Sequence, residues 1–134
     1  MNICTYVSAI SLDPKLLLVA VYRGTKTLEN CAVGKIVLLQ LLTEELAPVV
    51  RVCGQQSGNT IDKISRLQKR YSLKQQNDLF YFTNAAGFIE LEIEQLLENS
   101  GDHVLLVGKV IKAKNLTDET ILTTTYLKEK KFIR

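Results

Sequence analysis

An unbroken alternation of apolar and acidic residues from position 89 to 94 constrains the fold of this chain more than any other feature. Three aliphatic side chains alternate there with three glutamates, which is the two-residue period of a β-strand. A helical face also accommodates some of these positions, but residues 104–114 form a second strand-like segment, and turn-forming residues at 99–102 join the two. The pattern therefore predicts an antiparallel hairpin of residues 87–97 and 104–114. We expect its acids to face solvent: Glu90, Glu92 and Glu94.

The other segments predict more strands than helices. The run at 16–22 is apolar throughout, which favours a strand buried on both faces. Further strands are expected at residues 2–12, 35–41 and 121–126, with a short apolar stretch at 79–82. Helices are expected at residues 28–31, at 44–52 after a cap at Thr43 and across Pro48, and at 60–71. We expect one mainly β domain over residues 1–134, with short helices and a largely antiparallel sheet or barrel.

Charge and cysteine usage narrow the functional classes. A formal net charge of +3 suits a small anionic ligand and is too low for a nucleic-acid surface. The basic residues at 63–74 lack an interleaved aromatic ladder, so we interpret them as a solvated helix face. Three widely spaced cysteines and a single histidine offer no metal site. Because neither a secretory signal nor an apolar run of membrane-spanning length is visible, we expect a cytoplasmic protein without nucleic-acid or membrane partners.

Residues 23–28 are the first candidate for chemistry. They lie where an apolar strand gives way to a short helix, and they combine two cations with two hydroxyls. Backbone N–H groups at a helix start, together with such donors, suit a phosphate dianion. A plain helix cap with two solvated cations is the alternative, and the residues alone favour it. Ser57-Gly58 followed by Asp62-Lys63 is a further candidate, and here too the residues alone favour an ordinary structure, a glycine turn before a helix start.

The turn Gly101-Asp102-His103 is the second candidate. Glycine tolerates the positive φ of a tight turn, and His103 is the only histidine of the chain. At the end of a strand this side chain is placed to donate a hydrogen bond or to carry charge near neutral pH. A turn residue satisfied by backbone groups is the alternative, and the residues alone favour that alternative.

Taken in order, these segments resemble the flavin reductase-like proteins with an FMN-binding split barrel. The resemblance is carried by residues 6–14, by Arg23-Gly24-Thr25-Lys26-Thr27-Leu28, by Ser57-Gly58 with Asp62-Lys63, and by residues 101–110. It implies a split antiparallel β-barrel that forms a homodimer with FMN near the interface. It also implies hydride transfer from NAD(P)H to the flavin, with the protein supplying stacking, orientation and electrostatics.

The resemblance assigns residues to three roles by position. The isoalloxazine would be lined by Thr5, Tyr6, Val7, Ser8 and Ala9. The phosphate would be held by Arg23, Thr25, Lys26 and Thr27, with Lys63 joining that charge cluster. His103 would take the catalytic position near the flavin and the nicotinamide. Family members carry further residues before the flavin strand, so the chain is expected to be shortened at its N-terminus.

Three functions remain open at this point. The chain is an NAD(P)H-dependent flavin reductase, a flavin-binding electron carrier without reductase turnover, or an interaction domain that keeps the fold without flavin. The phosphate loop and His103 favour the reductase, whereas the shortened N-terminus favours the other two.

Overall fold

Seven strands and four short α-helices make up residues 1–133, the part of the chain that the computed structural model describes. The strands are β1 (Val7–Leu12), β2 (Lys15–Tyr22), β3 (Ile36–Leu41), β4 (Leu73–Gln76), β5 (Leu79–Phe82), β6 (Gly87–Leu97) and β7 (His103–Asn115). The helices are α1 (Lys26–Glu29), α2 (Val49–Gln55), α3 (Lys63–Gln68) and α4 (Thr124–Glu129), with a 3-10 turn (Glu44–Leu46) before α2. The predicted mainly β composition with short helices is confirmed.

Five of the strands form one antiparallel sheet in the order β1-β2-β7-β6-β3, and β4 with β5 forms a separate hairpin. β6 and β7 are the longest pair and run side by side through two bulges, at Glu90/Leu91 and Ile93/Gln95. The predicted central hairpin is therefore confirmed. Within residues 1–133 the sheet does not close on itself, because β1 and β3 remain its outer strands.

The inner face of the sheet carries one of the main apolar clusters. Its buried members come from the three central strands: Val19, Val21, Leu91, Ile93 and Leu106. Each such side chain stabilises the fold by roughly 1.5–3 kcal/mol when it is fully buried. On the other face of β2 the leucines keep part of their surface in solvent. The prediction that residues 16–22 are buried on both faces is therefore wrong, since an antiparallel sheet can leave one face partly solvated.

The β4–β5 hairpin and two helices enclose a second apolar cluster. Its buried members are Leu46, Val49, Cys53, Leu67, Phe82 and Ala85. One side chain of β3, Gln40, forms hydrogen bonds with the hairpin. Nε2 of Gln40 donates to the Phe80 carbonyl at 3.1 Å, and its Oε1 accepts from the Phe82 N–H at 2.9 Å. This amide supplies the hydrogen bonds that strand pairing would otherwise make between β3 and β5.

Glu90 is buried, with 5% of its surface exposed, so the expectation that it faces solvent is wrong. Its carboxylate accepts a hydrogen bond from the side-chain amide of Gln76 in β4. Nearby, Tyr81 of the hairpin packs on Phe88 of β6 with ring centroids 4.9 Å apart. The hairpin thus covers a polar position of β6 that the local alternation predicts to face solvent. A carboxylate that is buried in this way requires a hydrogen-bond partner, which Gln76 supplies.

The strand predicted at 121–126 is wrong. Ile121 makes only an isolated bridge to Thr43, and the chain then turns into α4. Oγ1 of Thr123 accepts from the Tyr126 N–H at 3.1 Å and caps this helix. Threonine and tyrosine favour strands in general, but β-propensity depends on context and yields to a local helix cap with a buried anchor, Leu127.

Other boundaries differ in smaller ways. The helix expected at 44–52 is divided at Pro48, which is the N-cap of α2 because proline cannot continue a helix from the preceding turn. The strand expected from residue 2 begins at Val7, and the polar stretch before residue 79 contains β4. The helix expected at 60–71 is confined to α3. None of the helices within residues 1–133 has the length and apolar character that a membrane span needs.

Candidate functional site

The two loops that the sequence singles out meet across a polar cleft. The cleft has a volume of about 700 Å³ and is lined by residues 22–27, between β2 and α1, and by residues 54–64, between α2 and α3. The loops touch at Gly58, where an added Cβ would lie 3.2 Å from the Cβ of Lys26. A larger residue at this position would require Lys26 to shift slightly, so the glycine permits this close approach of the two loops.

Thr25 and Lys26 lie on one wall of the cleft, at the start of α1. Oγ1 of Thr25 accepts from the Leu28 N–H at 3.3 Å and donates to the Tyr22 carbonyl at 2.8 Å, which caps the helix and fastens it to β2. Nζ of Lys26 lies 2.8 Å from Oε2 of Glu29, and the lysine side chain is 53% exposed. The hydrogen bond from Lys26 is the main reason that the pKa of Glu29 is lowered. Lys26 is therefore an exposed cation at the cleft.

Lys63 lines the opposite wall but carries its charge into the interior. The residue is buried, and its Nζ donates to the Cys53 carbonyl at 2.8 Å and to the Met1 carbonyl at 3.1 Å. Burial lowers the pKa of the ammonium, because desolvation disfavours the charged form. In this conformation two carbonyl oxygens occupy its hydrogen bonds, and a role for Lys63 at a phosphate stays a prediction.

The guanidinium of Arg23 binds the turn between β6 and β7. Its Nε donates to the Gly101 carbonyl at 2.9 Å and its Nη2 to the Asn99 carbonyl at 2.8 Å. Its Nη1 lies 2.7 Å from Oε2 of Glu98. The structure thus connects the predicted phosphate loop to the turn that carries His103, although a direct contact of Arg23 with phosphate stays a prediction.

His103 lies between two tyrosines at the start of β7. Its Nδ1 is 2.6 Å from Oδ1 of Asp102, and because a carboxylate can only accept, this contact favours a proton on Nδ1. The rings of Tyr22 and Tyr6 stand edge-on to the imidazole, with centroids 5.2 Å and 5.6 Å away. Tyr22 also lines the cleft. Sequence reasoning missed Tyr22, because only the β2–β7 register places it opposite His103.

The five residues predicted to line the flavin ring lie in different surroundings. Tyr6 contacts His103, and its carbonyl accepts from the Ala20 N–H at 3.0 Å, which holds this segment against β2. Thr5 and Val7 line a second, mainly apolar cavity of about 760 Å³. Ser8 and Ala9 are exposed on β1. Of the five, Tyr6 is therefore the residue that the structure brings to His103.

The cleft is suited to a phosphate group, which is the charged end that FMN would present. Its volume falls in the range of roughly 300–1,000 Å³ that small-molecule sites occupy. Lys26 supplies an exposed ammonium, and Thr27 and Ser57 add one hydroxyl group on each wall. Such donors recognise a phosphate monoester by charge-assisted hydrogen bonds.

Solved structures that share this fold include flavin proteins. The chain matches NADH:FAD oxidoreductase SgcE6 of Streptomyces globisporus with a TM-score of 0.67 and 19% identity over 81% of its residues. It matches flavoredoxin of Methanosarcina acetivorans with a TM-score of 0.70 and 20% identity over 82%. An FMN-binding protein of Thermus thermophilus gives a TM-score of 0.67 and 20% identity over 82%. The chain spans 63%, 57% and 60% of these proteins, and such low identity shows the fold alone.

The family, in contrast, is shown by the sequence itself. No curated protein matches the chain. A family model, the flavin reductase like domain, matches residues 2–131 and so includes both loops of the cleft and the His103 turn. The chain therefore belongs to the flavin reductase-like domain family.

Proposed function

We propose that this protein binds FMN at the cleft and reduces flavin with NADH or NADPH. The observation that carries the proposal is a chain of contacts: Tyr22 lines the cleft, and its ring packs edge-on against His103. Donors for a phosphate and a titratable imidazole are thereby adjacent on one part of the molecule. Bound FMN supplies the ring that accepts a hydride, since this chemistry belongs to the cofactor.

In this proposal the protein binds and orients the flavin within a split barrel. Lys26 and Thr27 contact the phosphate, Thr25 caps the helix that carries them, and the segment of residues 5–9 lines the ring. His103 presents Nε2 to the ligand while Asp102 holds Nδ1.

The test is steady-state oxidation of NADH and of NADPH by the purified protein with added FMN, followed by absorbance. Turnover above a control without protein supports the reductase. Bound flavin without oxidation of either nicotinamide contradicts it and favours the electron carrier. Absence of both flavin binding and turnover leaves the interaction domain.

Lys26→Ala is expected to weaken FMN binding about tenfold while riboflavin, which has no phosphate, is little affected. The loss should shrink at high salt, because ions screen an exposed charge. Quenching of flavin fluorescence measures both affinities. Lys128→Ala, at an exposed position of α4, is the matched control and should leave both affinities unchanged. An equal loss for the two flavins in Lys26→Ala would show that the phosphate lies elsewhere.

We also propose a homodimer that uses β1. β1 is an outer strand of the sheet, and its Ile10 and Leu12 are 49% and 87% exposed. An exposed apolar edge strand is a template for pairing with another chain. A second copy at this strand would approach Tyr6 and therefore His103.

For the location we propose the cytoplasm. The thiols of Cys4, Cys31 and Cys53 are all free, which suits a reducing compartment.

A further inference from the structure

Arg23 directs its guanidinium to one turn. All three of its nitrogens have a partner there: the carbonyls of Gly101 and Asn99, at 2.9 Å and 2.8 Å, and the carboxylate of Glu98, at 2.7 Å. The backbone N–H of Arg23 adds a fourth contact, to the Asp102 carbonyl at 2.9 Å. One residue of the β2–α1 connection thus holds the turn at four points.

Few other contacts stabilise the conformation of this turn. Residues 97–102 are all exposed, so packing contributes little there. Within the turn, Nδ2 of Asn99 donates to the His103 carbonyl at 2.8 Å, and Oδ1 of Asn99 accepts from the Gly101 N–H at 2.6 Å. The geometry of Asp102, which connects this turn to His103 at the start of β7, therefore depends largely on polar contacts from Asn99 and from Arg23.

We propose that Arg23 is a positioning residue: it fixes the turn so that Asp102 holds Nδ1 of His103 and leaves Nε2 to the ligand. The proposal rests on the function proposed above for His103. It gives Arg23 a task other than direct phosphate binding, because three of its five N–H donors already hold the turn.

Arginine suits this task better than lysine. Two carbonyls and a carboxylate are bound together here by the planar fork of one guanidinium, whereas an ammonium is a compact point charge without that geometry. The ion pair itself contributes little, because the Glu98 side chain is 71% exposed and solvent screens the pair. The two carbonyl contacts are therefore the part that matters.

Nitrogen NMR of the imidazole tests the proposal on flavin-free protein, and His103 is the only histidine, so its signals are unambiguous. We expect the wild type to show a protonated Nδ1 in the neutral ring. Arg23→Ala and Arg23→Lys should both shift towards a mixture of the two tautomers, whereas Glu98→Gln should resemble the wild type. In the reductase assay, Arg23→Ala should lower kcat by about ten- to a hundredfold, with FMN and riboflavin affinities changed equally.

Two results would overturn the proposal. The first is a wild-type imidazole spectrum in Arg23→Ala or, if that variant fails to fold, in Arg23→Lys. The second is a loss of FMN affinity in either variant that spares riboflavin, which would make Arg23 a phosphate ligand. The spectra need neither flavin nor turnover. A wild type without reductase activity would therefore refute the proposed function, and the NMR result could still be interpreted.

Discussion

The three cations near the cleft differ in their surroundings, and these decide what each can do. Lys26 is half exposed and pairs with a glutamate of its own helix. Arg23 is bound to the β6–β7 turn, and Lys63 is bound to two carbonyls in the interior. A sequence motif shows which residues are charged but not which groups bind to those charges in the fold. The positive charge that faces an anion in the cleft is therefore smaller than the motif suggests.

Lys63 is expected to make stability depend on pH in the alkaline range. Burial lowers the pKa of its ammonium, so between that lowered value and about 10.4 the unfolded chain binds more protons than the folded one. The free energy of unfolding therefore rises with pH across this window, and below it the contribution of Lys63 is constant. Lys63→Met should abolish the rise. The substitution should also lower the free energy of unfolding by about 1 kcal/mol at neutral pH, because two carbonyls lose their donor.

Urea unfolding of wild type and Lys63→Met at a series of pH values measures this difference. The wild type must be compared with the variant because Cys53 also contributes to the pH dependence. Burial raises the pKa of its thiol, so in the same range Cys53 makes the free energy of unfolding fall with pH. Lys69→Met, which removes an exposed lysine just after α3, is the control and should run parallel to the wild type. A parallel curve for Lys63→Met would contradict the prediction.

Among the elements, the contact between β3 and the β4–β5 hairpin depends on one amide. Gln40→Leu would leave the Phe82 N–H and the Phe80 carbonyl without their partner. We expect the free energy of unfolding to fall by about 2 kcal/mol. Gln75→Leu, at an exposed position of β4, should change it by less than about 0.5 kcal/mol. Denaturant titration measures both, and equal effects of the two substitutions would show that the amide is not the link.

For the whole molecule, the proposed dimer predicts a change in oligomeric state. Ile10→Asp places a charge on the exposed face of β1 and should convert a dimer into a monomer, because burying an unpaired carboxylate is costly. Val33→Asp, at a residue that is 65% exposed outside β1, should leave the dimer intact. Light scattering after size-exclusion chromatography measures the mass. A monomeric wild type, or a dimeric Ile10→Asp, would contradict the proposal.

The sequence by itself determined the features that depend on neighbouring residues. The alternation at 89–94 and the turn at 99–102 specify the β6–β7 hairpin, because the two-residue period and the turn chemistry are local. The order of the loop, turn and strand segments specified the family, which the match over residues 2–131 shows.

Only the tertiary structure decided how these segments meet. Burial of Glu90 depends on a hairpin that comes from another part of the chain, and the helix at 124–129 replaces a strand that local composition favours. The pairing of Tyr22 with His103 follows from strand register, and the attachment of Arg23 to the β6–β7 turn joins residues about 76 positions apart. Hydrogen-bond partners and burial are set by residues that are distant in sequence, so no local pattern contains them.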